Sequence, residues 1–285
     1  MDPLSQEEIR HAVQFALAED VGTGDVTTLA TVPDSAIARA TMKARETLMP
    51  AGLEFAAVAF RELASNLKIK QLAADGHAVQ AGQDLLIVEG SARAILSAER
   101  VALNFVQRLS GVATLTAQFV AAVQGTRARI LDTRKTTPGW RRFEKYAVTC
   151  GGGQNYRIGL YDMVLIKDNH LAALRHELPN AIAVAVRRSR ERYPKLKVEV
   201  EADTLEQVEQ AAAAGADIIL LDNMNLVQLR DAVKIVGSRA QTEASGGVNM
   251  GTVRGIAETG VDLISVGSIT HSARAVDIGL DFEEL

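Results

Sequence analysis

Four cationic side chains stand at or near the ends of apolar runs in the second half of the sequence. They are Arg134, Lys135, Arg157 and Lys167. Each of them alone would be read as an ordinary solvated surface charge. Together, in a protein whose formal net charge is -4, they predict a local site for a small substrate that carries several negative charges.

Two carboxylates, Glu201 and Asp222, follow the next two apolar runs. Carboxylates at such positions can accept hydrogen bonds from sugar hydroxyls, or help to hold a divalent metal ion that phosphate groups carry. The competing interpretation is that both acids form ion pairs with the lysines.

The last two apolar runs end in the turns Ser245-Gly246-Gly247 and Val266-Gly267-Ser268. Glycine lets a ligand approach the backbone closely, and N–H groups beside the start of a helix bind phosphate. Each turn alone is equally consistent with a plain tight turn. In the last two loops of a barrel, where many enzymes hold a phosphate, the phosphate interpretation is favoured. The residues therefore outline a site for a phosphorylated sugar and a polyanionic partner.

After Gly125, apolar runs alternate with amphipathic segments, which predicts parallel strands joined by helices. The functional residue types follow the C-terminal ends of these runs. A barrel of βα units brings such ends to one mouth, whereas an open doubly wound sheet would spread them along an edge. We therefore predict an α/β barrel, with six clear strands rather than eight. The runs are Ile130–Leu131, Met163–Ile166, Val198–Val200, Ile218–Leu221, the residues before Ser245, and Leu263–Val266.

The first part of the chain has a different pattern. Gln6 to Ala18 predicts a helix, with Ser5 as its N-cap and Glu8 three residues on. Residues 20–28 have the composition of a turn-rich loop, and Ala36 to Glu89 is mostly strand-like.

Residues 94–123 are rich in Ala and Leu and predict two helices that separate at Gly111. The change of pattern predicts an N-terminal α+β domain over residues 1–111 and a barrel domain over 112–272. We expect the tail, 273–285, to pack near the N-terminal domain.

The bulk composition excludes several other classes. Hydrophobic residues make up 47% and charged residues 23%, and the net charge gives no general attraction to nucleic acid or membrane. The single cysteine, Cys150, suits a reducing compartment, and Met1–Leu4 lacks the apolar core of a signal peptide. A cytoplasmic protein is expected. The histidines have no zinc-like spacing.

Several spaced motifs, which together span nearly the whole chain, resemble those of the quinolinate phosphoribosyltransferases. They are Gly24–Thr28, Glu99–Arg100, Leu109–Thr114, Asp132–Gly139, Glu144–Val148, Gly151–Arg157, Leu165–His170 and Glu243–Gly247. The resemblance implies a homodimer with an incomplete (β/α) barrel and an N-terminal α+β sandwich domain. Its substrates would be quinolinate and phosphoribosyl pyrophosphate, with Mg²⁺, and its products nicotinate mononucleotide, pyrophosphate and CO₂, a step of NAD biosynthesis.

The resemblance also implies a role for each cation at a matching position. Arg134 and Arg157 would bind the quinolinate carboxylates, with Arg100 entering from the neighbouring subunit. Lys135 and Lys167 would face the pyrophosphate and the carboxylate that is lost.

For the acids and turns, the resemblance implies contacts with the sugar phosphate. Glu201 and Asp222 would hold the ribose hydroxyls and the metal ion, and would act with the two lysines in catalysis. The loops at Ser245 and Gly267 would take the 5′-phosphate. The remaining substrate-binding positions would be Thr133, Tyr156, Gly246, Gly247, Val266, Ser268 and His271.

Tyr156 departs from the family pattern, which has histidine between Asn155 and Arg157. The histidine is expected to contact a quinolinate carboxylate. A tyrosine hydroxyl can still donate a hydrogen bond there, but it brings no positive charge at neutral pH.

Three alternatives compete with this function. A Schiff-base aldolase or decarboxylase would use Lys167, which would then need an apolar or cationic setting. A non-catalytic phosphosugar-binding protein would use the barrel as a sensor. A related phosphoribosyltransferase would act on another acid.

Overall fold

The computed structural model describes residues 3–284, with side chains to residue 283, so positions 1, 2 and 285 of the expected domains lie outside the described part. The chain divides into two compact units. The first unit comprises the described residues up to Ala117, Thr137–Gly152 and those from Ser272 onward. The second unit comprises Gln118–Thr136 and Gly153–His271. Residues 137–152, inside the limits expected for the barrel domain, thus cluster with the first unit.

In chain order the elements are α1 Gln6–Val21, α2 Val26–Thr31, β1 Ile37–Ala44, α3 Leu53–Leu63, β2 Lys68–Gln71, β3 Asp84–Ser91, α4 Ala92–Ala122, β4 Arg129–Leu131, α5 Arg141–Cys150, β5 Val164–Ile166, α6 Asp168–Ala172, α7 Ala181–Arg192, β6 Val198–Ala202, α8 Leu205–Ala213, β7 Ile218–Asp222, α9 Leu226–Val236, β8 Gln241–Ser245, α10 Val253–Ala257, β9 Leu263–Ser265, α11 Ser268–His271 and β10 Ile278–Glu284. No helix within residues 3–284 is long and apolar enough to cross a membrane.

Helix α1 begins as the sequence predicts. The Ser5 hydroxyl accepts a hydrogen bond from the Glu8 backbone N–H at 3.2 Å, and the Glu8 carboxylate accepts one from the Ser5 N–H at 2.9 Å. The turn-rich loop expected over 20–28 is shorter than predicted, because Asp25 caps α2 by accepting from the Thr28 N–H at 3.0 Å. An aspartate that satisfies an otherwise unpaired N–H of the first turn starts a helix there.

The first unit contains a four-stranded antiparallel sheet in the order β10-β1-β3-β2. Within the segment expected to be mostly strands, residues 53–63 instead form helix α3. This prediction was wrong because the run is apolar on nearly all sides, with Leu53 and 55–60 buried. A continuously apolar run does not distinguish a buried strand from a buried helix.

Helix α4 runs without interruption through Gly111, so the predicted break between two helices is wrong. Gly111 instead marks a close approach, since a Cβ built on it would collide with the carbonyl oxygen of Arg274. The glycine is therefore needed for packing against the segment before β10.

Helix α5 packs its Glu144 into the interior of the first unit, where the side chain is fully buried. The carboxylate accepts hydrogen bonds from Arg108 Nη2 at 2.7 Å, from Thr137 Oγ1 at 2.8 Å and from the Thr137 N–H at 3.0 Å. Trp140, just before α5, stacks on Phe105 with ring centroids 4.9 Å apart. The hydrogen bonds of Glu144 and the stacking of Trp140 on Phe105 together fix the start of helix α5.

The second unit contains six parallel strands in the order β4-β9-β8-β7-β6-β5. All six predicted apolar runs are strands, and the fold class is confirmed as an incomplete (β/α) barrel with a separate α+β domain. At the free edge of β4, Leu131 forms an isolated parallel bridge with Gln154. The Gln154 N–H donates to the Ile130 carbonyl at 2.8 Å, which brings residues 154–157 beside the strand ends.

Candidate active site

A pocket of about 460 Å³ opens at the C-terminal ends of the barrel strands, and all of its lining residues belong to the second unit. We call it the barrel pocket. The residues proposed from the sequence that line it are Thr133, Arg134, Lys135, Tyr156, Arg157, Lys167, Glu201, Asp222, Ser245, Gly246, Gly247, Gly267, Ser268 and His271. The structure therefore brings the expected cations, carboxylates and glycine turns together.

Strand geometry explains this convergence. Side chains two residues apart on a strand share a face, so each barrel strand sends alternate residues inward. The lining follows this period in the pairs Leu165 and Lys167, Leu220 and Asp222, Glu243 and Ser245, and Ser265 and Gly267. Parallel pairing places Asp222 level with Ser245 and Glu201 level with Leu220.

Two predicted residues lie elsewhere. Val266 is buried, and its N–H donates to the Leu131 carbonyl at 2.9 Å, so it holds two strands together rather than lining the pocket. Arg100 is an exposed residue of helix α4 in the first unit. Sequence reasoning missed the five lining residues Leu165, Leu220, Glu243, Val248 and Ser265. Apart from Val248, each stands two residues before a predicted site residue, a signal that strand periodicity supplies.

Lys167 and Glu201 form an ion pair across the mouth of the barrel pocket. Their side chains are 46% and 11% exposed, so the lysine reaches from solvent to a mostly enclosed acid. The ion-pair interpretation of the carboxylates thus holds for Glu201. Asp222 accepts instead from the Asn223 side-chain amide at 2.7 Å.

The loop after β4 meets the last loop of the barrel. Thr270 Oγ1 donates to the Lys135 carbonyl at 2.7 Å. A Cβ at Gly267 would lie 3.0 Å from Lys135 Cδ and 3.2 Å from His271 Nε2. The lysine stem, the glycine turn and the histidine therefore surround one small space.

The turn after β8 needs its glycines for conformation. Gly246 and Gly247 have φ angles of 93° and 61°, in the left-handed region that side chains disfavour. A Cβ at Gly246 would also collide with the side chain of Asn223. The backbone of this turn consequently faces the barrel pocket without side chains in front of it.

Residues 155–157 are fixed by the buried carboxylate of Asp132. It accepts from Asn155 Nδ2 at 2.7 Å and from the Tyr156 N–H at 2.8 Å. The next residue, Arg157, donates from Nη1 to the Met163 carbonyl at 3.1 Å. Its buried Nε has no hydrogen-bond partner among residues 3–284.

The Tyr156 hydroxyl lies in an arrangement that the sequence did not predict. It donates to Glu199 Oε2 at 2.6 Å, so the proton expected at the substrate is donated to a buried acid of the barrel interior. Burial raises the pKa of this phenol, and the neighbouring Glu199 raises it further. Tyr156 is therefore a neutral side chain at the base of the barrel pocket.

Glu199 and Glu243 face each other inside the barrel. Burial raises the pKa of Glu199, although the hydrogen bond from Tyr156 opposes that shift. Burial, and then the nearby Glu199, raise the pKa of Glu243 well above its ordinary value. Two adjacent carboxylates oppose each other's ionisation in an apolar interior, and both pKa values are raised.

Across residues 3–284 there is no cluster of three or more His, Cys, Asp or Glu side chains that could hold a metal ion by itself. The carboxylate oxygens that the barrel pocket offers near its mouth are those of Glu201 and Asp222, since the third lining acid, Glu243, is buried. Such a donor set suits Mg²⁺ only when substrate phosphates and waters complete the coordination.

An incomplete parallel barrel with glycine turns, clustered cations and two carboxylates at its mouth defines an enzyme that acts on a phosphorylated, polyanionic substrate. The comparisons with known proteins identify which one. Sequence profiles described as "Quinolinate phosphoribosyl transferase, N-terminal domain" and "C-terminal domain" match residues 25–110 and 112–281. The chain belongs to the quinolinate phosphoribosyltransferase family.

Several known proteins are similar to this chain, in sequence or in structure, over nearly its whole length. A nicotinate-nucleotide pyrophosphorylase [carboxylating] of Mycobacterium leprae is 44% identical over 95% of this chain and 96% of its own. The crystal structure of NadC from Streptococcus pyogenes has a TM-score of 0.94 at 38% identity and covers 100% of both chains. The nicotinate-nucleotide pyrophosphorylase of Francisella tularensis has a TM-score of 0.93, also at 38% identity, over 99% of this chain and 98% of its own.

Proposed function

We propose that the barrel pocket joins quinolinate to the ribose of phosphoribosyl pyrophosphate and releases pyrophosphate and CO₂, leaving nicotinate mononucleotide. The chain is a phosphoribosyltransferase of NAD biosynthesis, as its family membership shows. One observation carries the assignment of the site: four cations, the carboxylates of Glu201 and Asp222, and two glycine turns line a single pocket. A dicarboxylate and a phosphorylated sugar together need these groups.

Each group has a role that follows from its chemistry. Arg157 and Arg134 bind the two carboxylates of quinolinate, since guanidinium matches carboxylate in two-point geometry. Lys135 and Lys167 neutralise the leaving pyrophosphate and the carboxylate that departs. Asp222 accepts hydrogen bonds from the ribose hydroxyls.

Glu201, Ser245 and the glycine turns complete the sugar-phosphate site. Because Glu201 pairs with Lys167, it holds that ammonium group toward the pocket as well as offering an oxygen to the sugar. We assign the 5′-phosphate to the backbone N–H groups near Gly246 and Gly267.

Bond formation follows from this placement. The ring nitrogen of quinolinate attacks the anomeric carbon as pyrophosphate leaves, and positive charge develops on the sugar. Well-placed charged donors that stabilise developing charge contribute about 3 to 4 kcal/mol each in other active sites. The alkylated nitrogen is positive, so it stabilises the electron pair left on the adjacent carbon when CO₂ departs. That carbon then takes a proton from solvent water, which gives nicotinate mononucleotide.

Magnesium fits this site as an ion carried by the pyrophosphate group. Asp222 and Glu201 are the residues that would face it, and the ion would add positive charge beside the leaving group. Because no cluster of acidic, His or Cys side chains within residues 3–284 could hold a metal ion by itself, we propose that the ion arrives with its substrate.

The test compares two acids with the same enzyme. Quinolinate and nicotinate are each supplied with phosphoribosyl pyrophosphate and Mg²⁺, and pyrophosphate release is followed. Nicotinate should be a very poor substrate, because it leaves one arginine without a carboxylate at a cost of several kcal/mol, on the order of 100-fold or more in rate. Comparable turnover of both acids contradicts the roles of Arg134 and Arg157.

The Schiff-base alternative finds no support in the setting of Lys167. Its side chain is nearly half exposed and paired with Glu201, whereas a lysine nucleophile needs an apolar or cationic surrounding. Borohydride with carbonyl substrates should therefore leave Lys167 unmodified.

We further propose a homodimer in which Arg100 acts in the partner's barrel pocket. Arg100 is exposed on α4 and belongs to the unit that contributes no lining residue to its own chain's pocket. Alongside, the first unit has a groove of about 750 Å³ lined by Phe15, Phe105 and Trp140, and Phe15 is 72% exposed. A second copy of the chain would cover such an apolar surface.

The cytoplasmic location expected from the single cysteine stays a prediction.

Subunit mixing tests the contribution of Arg100. Arg100→Ala and Lys167→Ala homodimers should each be nearly inactive. Re-associated mixtures should regain activity, because each heterodimer contains one pocket with both residues intact. If heterodimers form and activity does not return, Arg100 does not act across the interface.

A further inference from the structure

Tyr156 is the pocket residue whose contacts the reaction does not yet explain. It lines the barrel pocket, yet its hydroxyl donates to Glu199 Oε2 at 2.6 Å, inside the barrel. Glu199 is fully buried. A phenol has one proton to donate, so this hydroxyl does not offer a hydrogen bond to a substrate carboxylate.

Three independent contacts immobilise Tyr156. Its backbone N–H donates to Asp132 Oδ1 at 2.8 Å, and its hydroxyl is tied to Glu199. The ring packs on a buried apolar cluster, formed by Leu131, Met163, Ile218 and Leu263. A side chain held at its backbone, its ring and its tip has one accessible position.

Arg157 lies against this fixed ring. Its Cζ is 5.8 Å from the centroid of the Tyr156 ring, within the range of an attractive cation–π contact. The other anchor of the guanidinium is the Nη1 hydrogen bond to the Met163 carbonyl. The buried Nε has no partner within residues 3–284, and Arg157 is a lining residue of the barrel pocket.

We propose that Tyr156 is a positioning residue: anchored on Glu199, its ring holds the Arg157 guanidinium in the orientation that binds a carboxylate of the acid substrate. The inference rests on the proposed function and adds a specificity element to it. Tyr156 acts on substrate binding through Arg157 and not through its own hydroxyl.

The effect of Tyr156→Phe follows from this arrangement. The ring and its apolar contacts remain, but the tip loses its anchor. KM for quinolinate should rise roughly 3- to 10-fold, the range that one hydrogen bond covers. KM for phosphoribosyl pyrophosphate and kcat should change less than about 2-fold, since neither depends on Arg157 orientation.

A double-mutant cycle separates positioning from direct contact. Tyr156→Phe is combined with Arg157→Lys, and quinolinate binding is measured for the four proteins. If Tyr156 acts through Arg157, its substitution costs little once lysine replaces the arginine, and the two effects are far from additive. Additive effects would show that the hydroxyl contacts the substrate itself, which overturns the proposal.

Three further variants complete the test. Glu199→Gln retains an oxygen that accepts the phenol proton, so it should preserve KM for quinolinate, whereas Glu199→Leu should raise KM as Tyr156→Phe does. Tyr146→Phe is the matched control, because the Tyr146 hydroxyl donates to Asp75 Oδ2 at 2.7 Å within the first unit. It removes a similar tyrosine–carboxylate bond and should leave KM for quinolinate unchanged.

The outcomes distinguish this inference from the proposed function. A wild-type enzyme that fails to use quinolinate contradicts the function, whatever the variants do. A wild-type enzyme that uses quinolinate, with KM unaltered in folded Tyr156→Phe and Glu199→Leu, contradicts the positioning role alone. Circular dichroism melting of each variant establishes that it is folded.

Discussion

The buried carboxylate of Glu144 allows a sharp test of what holds the first unit together. Its three hydrogen bonds come from Arg108 and from the side chain and backbone of Thr137. Glu144→Gln keeps the shape and one acceptor oxygen, but it replaces the other oxygen with a donor and removes the charge. At least one bond is lost, and the Arg108 guanidinium loses its counter-ion.

The magnitude follows from burial. Removing one partner of a buried ion pair costs about 3 to 5 kcal/mol. Glu144 is fully enclosed, but the Arg108 side chain is 26% exposed, so water compensates part of the loss. We expect Glu144→Gln to lower the free energy of unfolding of the first unit by about 2 to 4 kcal/mol. With urea slopes of about 1 to 3 kcal/mol per molar, the midpoint falls by about 1 M or more.

Trp140 is a built-in probe for this measurement. It is the only tryptophan of the chain, and it belongs to the first unit. It lies four residues before Glu144 in the sequence, and its ring stacks on that of Phe105. Urea unfolding followed by its fluorescence therefore reports on the unit that contains the substitution. Asp34→Asn is the control, since the 95% exposed Asp34 pairs with Arg93 at the surface and should cost less than about 1 kcal/mol. A midpoint for Glu144→Gln no lower than that of Asp34→Asn would refute the reasoning.

Three shorter predictions concern other sites. The hydrogen bond from Arg142, and then the capping bonds from Ser5, lower the pKa of Glu8 from its ordinary value of 4.5 to about 2. This contribution to stability is present above pH 4.5 and is lost as the pH falls toward 2, so Glu8→Gln should flatten the wild-type decline in urea midpoint over that window. Asp222→Asn should raise KM for phosphoribosyl pyrophosphate while quinolinate binding and melting temperature stay near wild type; a loss of both ligands with a lower melting temperature would make Asp222 structural. Gly111→Ala should destabilise by about 1 to 3 kcal/mol through the clash with the Arg274 carbonyl, and an unchanged melting temperature would contradict that packing.

The barrel and most of its site could be predicted from the sequence, because both depend on local patterns. Most of the barrel strands are apolar runs, with the polar β8 as the exception, and a charged or glycine-rich end marks the mouth. Lys167, Asp222 and Ser245 stand at those ends, so the positions of the strands in the sequence predict that these residues come together.

The remainder depends on contacts between distant parts of the chain. In the sequence, Gly111 resembles a helix breaker. In the structure it is a glycine because the carbonyl of Arg274, which is remote in sequence, packs directly against it. Glu199 and Glu243 stand inside strands, and only the barrel shows that they face one another next to Tyr156. The residues next to Tyr156 in the sequence do not show that its hydroxyl donates to Glu199.

Strand β10 has a consequence for how the protein is made. It pairs with β1 from Ala38 opposite Glu284 to Ala44 opposite Ile278. The ion pair between Arg45 and Asp281, beside this pairing, joins residues 236 positions apart. On a ribosome, β1 emerges long before its partner and must wait with one hydrogen-bonding edge open while the whole barrel is synthesised. An open edge invites pairing with another chain. The nascent first unit is therefore most vulnerable to aggregation during that interval, and a ribosome that stalls before residue 278 would release it unfinished.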